Sequence, residues 1–450
     1  MPASASTPPT SPFHYRDYRA FWAARLASTI ASTMLVVVIG IHVYDIARET
    51  MSIAEASFWL GMVGLAQFLP LFLLTLVAGY VADRVDRRWI VRASLALELI
   101  CAAALAVLVW FDAMSLVPLF IVAVALGIGR AFAGPALSSF APNLVPAELL
   151  PSAIALNSIA WQAGAVAGPL IGGATYAVYT ALPYEASAIL FAISLGAMLM
   201  IRPIPLGNAG DRHPLRAVIE GLAYVRNNKI VLGAITLDLF AVLLGGATAM
   251  LPVYARDVLH VGSEGLGALR AAPAVGAALT ALILARRPLK RHVGIKMFVC
   301  VGIFGLATVV FGESRVMWLS LASLVVLGAA DMVSVYVRSS LIQLHTPDAM
   351  RGRVSAVSGL FISASNELGE FRAGLAGSAF GPVVAVVGGG ALAVAVTGFC
   401  AWAFPSLRKA DRFVAPDEAV LAEASGKDRP DFPIPPMVAG LNPKAEKGQP

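Results

Sequence analysis

Charge is what this chain has least of: across 450 residues only 13% are Asp, Glu, Lys or Arg, while 58% are hydrophobic and the mean hydropathy is +0.78. A soluble domain carries about 25% charged residues, so water is excluded as the solvent for most of this surface and lipid is implied. Cysteine is nearly absent as well. Cys101, Cys300 and Cys400 each sit inside an apolar run, which excludes a disulfide framework, and no CxxC or Cys/His spacing offers a metal site. The few histidines form no HExxH, and Gly426-Lys427 lacks the rest of a phosphate loop, so hydrolysis and direct ATP use have no motif. No cofactor is expected. The net charge of +6 is too small and too scattered for a nucleic-acid partner. A secretory signal is also missing from the first twenty residues, and the first apolar run reads as an uncleaved helix.

What the sequence does have is long apolar runs. They fall near 20–44, 57–82, 89–111, 115–136, 152–178 and 184–201, then near 230–254, 264–285, 294–312, 316–337, 354–379 and 381–404. A bilayer core needs about 20 residues of helix, and barrel strands need only about 10. The expectation is an all-α integral membrane protein with twelve transmembrane helices. Residues 20–202 form the first six-helix half and 230–404 the second. Around them lie a segment at 1–19, a polar linker at 203–229 and a Pro- and Ala-rich tail at 405–450, expected to be disordered. In the linker, Leu215, Val218, Leu222 and Val225 recur at helical spacing. Two readings are open for that amphipathic helix: it lies on the membrane surface, or it merely links.

The positive-inside rule orients the spans. One set of connections holds Arg84, Arg87, Arg88 and Arg92, then Arg202 to Lys229, then Arg286 to Lys296, then Arg338, Arg351 and Arg353. The other holds little beyond Arg48, Arg256 and Arg315, with Asp45 and Asp257 among the acids beside them. Both termini are therefore expected in the cytoplasm. The loop at 141–152 disagrees, having Glu148 and no Lys or Arg. The halves also echo each other. A shift of 201 residues lays Gly127 on Gly328, Gly168 on Gly369 and Gly173 on Gly374, a signature of internal duplication. Parallel duplicated six-helix halves are a layout of secondary transporters.

Two motifs point to a family. After the second span the chain reads Gly79-Tyr-Val-Ala-Asp83-Arg84-Val-Asp86-Arg87-Arg88. This resembles the cytoplasmic signature G-x-x-x-D-R-x-G-R-R of the major facilitator superfamily, with Asp86 where the second glycine is usual. The fifth span carries Gly164-x-x-x-Gly168-Pro169-x-x-Gly172-Gly173, similar to the antiporter motif of export branches. The departure at Asp86 and the segment Pro135–Ser158 are similar to the bacterial efflux subfamily that includes enterobactin exporters. The resemblance implies the major facilitator fold. It also implies that Asp83 contacts the eleventh helix to close the cytoplasmic side, and that the bent glycine face of the fifth helix packs against the eighth. Read without the family, the arginines are positive-inside anchors and the glycines allow tight packing.

Charges inside spans each cost about 2.5–3.5 kcal/mol on insertion scales, so each needs a reason. Glu98, Arg130, Asp238, Arg270, Asp331 and the run Asn366-Glu367-Leu-Gly-Glu370-Phe-Arg372 are the candidates for a substrate or proton pathway. Arg130 and Asp331 match under the 201 shift, and a facing pair would offset the cost of both. Glu367 and Glu370 share one face, one turn apart. Proton carriage, substrate contact and structural pairing with Arg372 are all open for them. The leading expectation is a monomeric secondary transporter that exports a small organic molecule in exchange for protons, by rocker-switch alternating access. Membrane lipid is its surroundings and no obligate protein partner is inferred. An uptake permease is the alternative, and a non-transporting receptor the more distant one.

Overall fold

The structure, a computed structural model, describes residues 11–138, 140, 144–202, 214–289, 291–411 and 413. The regular structure of these residues is helical throughout. The first half consists of α1 (Arg16–Thr50), α2 (Ile53–Arg84), α3 (Arg87–Trp110), α4 (Leu116–Ser138), α5 (Leu150–Val178) and α6 (Leu182–Leu199). The linker carries α7 (Pro214–Asn227). The second half begins with α8 (Lys229–Gly245), which breaks after Gly245 and resumes through short 3-10, α and π turns that include α9 (Leu251–Val253). It continues with α10 (Gly262–Arg286), α11 (Val293–Glu313), α12 (Met317–Leu344), α13 (Asp348–Phe380), α14 (Pro382–Ala403) and the short α15 (Pro405–Arg408).

Short connections between long helices make neighbours antiparallel. The bundle therefore has a linker face, which carries α7, the start of α1 and the end of α14, and a far face opposite. Among the described residues, 11 helical segments are long and apolar enough to cross a membrane. The helix missing from that set is α13, whose Asn366, Glu367, Glu370 and Arg372 interrupt an otherwise sufficient length. Local chemistry fixes the ends. Ser52 and Glu55 form a reciprocal capping box at α2, Asp86 caps α3, and Asn228 caps α8.

The two halves pack by the same plan. In the first, α1 lies on α5 and α6, α3 on α4 and α6, and α2 on α4. In the second, α8 lies on α13 and α14, α11 on α12 and α14, and α10 on α12. The matched glycines carry this likeness into detail. Gly127 of α4 packs on Pro70 of α2, and its counterpart Gly328 of α12 packs on Pro273 of α10. Across the halves, α2 crosses α13 and α5 crosses α10. A β-carbon on Gly61 would lie 2.8 Å from Gly374 Cα, and one on Gly173 would lie 2.8 Å from Gly267 Cα. Only bare backbone permits these crossings, both in the far part of the bundle.

One expected boundary and one expected stripe change. The chain stays helical beyond residue 404, because residues up to Asp411 cap the start of α11: Gly294 N–H donates to Ala410 O at 2.9 Å and His292 N–H to Asp411 Oδ1 at 2.9 Å. Residues 414–450 lie outside those described. Helix α7 is amphipathic, yet the expected stripe is split. Val218 and Val225 turn inward with Gly221, which rests on Arg353 O, whereas Leu222 is exposed and Leu215 is outside the described side chains. The reason is docking: Glu220 pairs with Arg353 at 2.5 Å, which turns the face at Gly221 onto α13.

Candidate functional site

Midway along the helices, four of the charged side chains of the spans, Arg130, Arg270, Glu367 and Glu370, meet at α13. Arg130 of α4 donates from Nη1 to Glu367 Oε1 at 2.9 Å and to Gln67 Oε1 of α2 at 3.2 Å. This pair crosses from the first half to the second. The Glu367 carboxylate is only 8% exposed, whereas the Arg130 side chain is 44% exposed. Glu98 of α3 is buried beside Gly129, within electrostatic reach of Arg130. One turn further along α13, Glu370 Oε1 receives Arg270 Nη2 of α10 at 3.4 Å, while Arg270 Nη1 donates to Thr248 O at 2.9 Å. Two carboxylates on one helix face are thus held by arginines from different halves. Beside them is a cavity of about 40 Å³, lined from both halves by Gln67, Thr248, Arg270, Glu370 and apolar side chains.

The expected facing pair of Arg130 and Asp331 does not form. The 201 shift relates equivalent places in two parallel repeats, and equivalent places need not meet. Arg130 instead reaches α13 across the interface, and half-buried Asp331 has no ion-pair partner among the described contacts. Nor does Arg372 neutralise either glutamate. It sits on another side of α13, where Nε donates to Leu243 O at 3.0 Å and the guanidinium lies against Gly389. Asn366 is exposed and stands apart from the cluster. Asp238 is buried in an ion pair with Arg338 of α12. Hydropathy placed Arg338 just past a span end, in a connection; the helix runs on to Leu344, and Arg338 is 4% exposed.

The glycine motif of α5 serves two partners. Gly164, Gly168 and Gly172 lie four apart and face α1, where Thr29, Thr33 and Met34 meet them. Gly173, about 100° around the helix, faces Ser263 and Gly267 of α10. Pro169 presents its carbonyl to Gly267. The expected contact of the bent face with the eighth span thus belongs to Gly173 and Pro169, and the main stripe packs within its own half. In the other motif, Gly79 and Asp83 lie outside the residues whose surroundings are described, Arg84 is exposed and Arg87 is half-buried. Asp86 accepts from Arg88 N at 3.0 Å and pairs with its guanidinium at 2.6 Å. The departure from glycine thus supplies a helix cap. Hydrogen bonding by Arg88 holds the Asp86 carboxyl below its ordinary value of 3.8.

Beyond the cavity, toward the far face, the halves meet again. Tyr44 donates to Asp257 Oδ2 at 2.5 Å and Arg48 reaches Asp257 Oδ1 at 3.3 Å. In the reverse sense, Arg256 pairs with Asp45, which also accepts from Tyr176 at 3.2 Å. An acid and an arginine on α1 therefore face an arginine and an acid on the π turn. In the sequence these charges stand near span ends, and nothing there assigns their partners. The opposite signs of Asp45/Arg48 and Arg256-Asp257 were the signal available. Gln67 carries no sequence signal beyond a lone amide within an apolar run.

Comparison with known proteins agrees with this architecture. The family described as transmembrane secretion effectors matches residues 7–425. The chain is 25% identical over 342 residues to the enterobactin exporter EntS of Citrobacter koseri, covering 76% of this chain and 80% of that one. It is 25% identical over 349 residues to EntS of Shigella boydii, with the same coverage. Among solved structures, it resembles the D-xylose-proton symporter with a TM-score of 0.66 at 16% identity, covering 87% of this chain and 98% of that one. It also resembles the POT family transporter PepTSo, with a TM-score of 0.69 at 12% identity, covering 90% and 100%. The chain belongs to the transmembrane secretion effector family of the major facilitator superfamily, and is an integral membrane secondary transporter.

Proposed function

We propose that this transporter exports a small organic molecule, drug- or siderophore-like, across the bacterial inner membrane in exchange for protons, with both termini in the cytoplasm. The observation that carries the proposal is the Arg130–Glu367 pair. A buried carboxylate of one half holds a guanidinium of the other, so a proton on Glu367 removes one of the two charges and weakens the bond between halves. Proton arrival is thereby linked to movement. With α13 counted as a span, the eleventh in order, its interrupted apolar pattern is the pathway itself. The glycine crossings at Gly61–Gly374 and Gly173–Gly267 and the rim of ion pairs close the far side. Rocking one half against the other would open that side and shut the linker side.

Export direction is supported by the α5 glycine motif and by relatives named as enterobactin exporters. The test is accumulation in inverted membrane vesicles under an imposed pH gradient, over a panel of dyes, antibiotics and siderophores. Accumulation should vanish when the gradient is dissipated and fall by about tenfold or more in Glu367→Gln, equivalent to about 1.4 kcal/mol of barrier. Gradient-driven accumulation that Glu367→Gln leaves intact would remove Glu367 from the proton route.

A further inference from the structure

The polar lining of the central cavity is unequal in sign. Of its polar side chains among the described residues, three can donate and one only accepts when ionised. Arg270 has two of its N–H groups engaged, one with Thr248 O at 2.9 Å and one with Glu370 at 3.4 Å. Charge-assisted pairs close to about 2.7–2.9 Å, so the contact with Glu370 is a loose one. Gln67 turns its amide oxygen to Arg130, which leaves its N–H2 as the donor for the cavity. Thr248 adds a hydroxyl. Among the described residues Glu370 is the one carboxylate in the lining, and its flank is pressed by Gly64, where a β-carbon would lie 2.9 Å from Glu370 Cβ. Glu367 is already held by Arg130.

From this we infer that the cargo is an organic anion whose acidic oxygens are taken by Arg270, with Glu370 acting as the internal stand-in that the cargo displaces. This rests on the transport reading above and specifies what is carried. A planar carboxylate matches the guanidinium fork in two parallel hydrogen bonds, which the single long bond from Glu370 does not. Apolar neighbours such as Val36, Leu60 and Leu266 suit the hydrocarbon beside the acid group. At about 40 Å³ the cavity takes a few waters or one carboxylate. In this conformation it therefore receives the anionic head of the cargo, and the body stays outside. Displacing Glu370 also leaves its carboxylate without Arg270, one turn from Glu367, the proposed proton carrier. Cargo and proton would thus share one short stretch of α13.

Calorimetric melting of the full chain in detergent tests this with 1-naphthoate, 1-naphthamide and 1-naphthylmethylammonium, which share one skeleton and differ in charge. Naphthoate should raise the melting temperature through binding the folded form, and the amide and ammonium should not. Arg270→Gln should weaken naphthoate by about tenfold. Glu370→Gln, which removes the competitor, should tighten it by about threefold. Should Arg270→Gln fail to fold, the gain in Glu370→Gln still decides the matter. Stabilisation by the ammonium that Glu370→Gln abolishes would overturn the inference in favour of a cationic cargo. A naphthoate effect unchanged in Arg270→Gln, or no effect from any probe, would overturn it as well. Binding needs no transport. Naphthoate binding without gradient-driven accumulation in vesicles would sink the transport reading alone, and accumulation without naphthoate binding would sink the anion site alone.

Discussion

The far rim and the linker face of this transporter are held by different means. At the far rim the halves share an apolar cluster, in which Val37, Ile41 and Tyr44 of α1 join Met250, Leu251 and Tyr254 of the second half. Reciprocal ion pairs from α1 to the π turn lie over it. At the linker face the named polar ties stay within one half or bind the linker. Tyr18 and Trp22 donate to carbonyls of α5, Arg92 donates to Met198 O at the end of α6, and Tyr224 donates to His345 O. Contacts that cross the halves make a seal, and contacts within a half make a rigid body. The proposed rocking needs both, in different places.

Breaking a tie within a half should therefore cost stability, and breaking one between halves should shift conformation. The largest effect is expected at Asp238–Arg338, where both partners are buried. Arg338→Leu strands a buried carboxylate and should cost about 3–5 kcal/mol, whereas Asp238→Leu with Arg338→Leu should recover most of it. Thermal unfolding in detergent reads both. A smaller effect is expected at the rim, because Asp45 and Arg256 are more than a third exposed. A double-mutant cycle on the transport rate should give a coupling of about 0.2–1 kcal/mol. Exchanging the two charges, Asp45→Arg with Arg256→Asp, should restore what Asp45→Arg loses. The smallest effect is at Asp86. Its folded value lies below 3.8, so its contribution is present above that pH and is lost as pH falls through the folded value. Asp86→Asn should lower stability near neutrality by less than about 1 kcal/mol, the partial exposure screening the pair, and should flatten the acid limb of stability against pH.

Much of this was legible in the sequence. Apolar runs, the 201-residue echo and two glycine-bearing motifs carried the class and the family, because lipid imposes length and composition directly. The intramembrane charges marked the central layer, because a charge there is retained only for a reason. Partner choice was not legible. Arg130 selected Glu367 over Asp331 because the interface between halves, and not the symmetry of the repeat, decides which side chains meet. Arg338 was hidden because hydropathy ends a span where its helix does not end. Gln67 was hidden because one amide in an apolar run resembles any tolerated polar residue until an arginine is seen to seek it.

In the proposed cycle the Arg130–Glu367 pair ties protonation to rocking of the halves. Spin-label distances test it most directly, in a chain with its three cysteines replaced. One label pair, Asp112 with Arg315, spans the far face, and the other, Glu148 with Gln343, spans the linker face; all four residues are exposed. Replacing Glu367 by Gln mimics its protonated form. This substitution should lengthen the far distance and shorten the linker distance in the same population. Distances that stay as in the parent chain, or that change together in one direction, would contradict it.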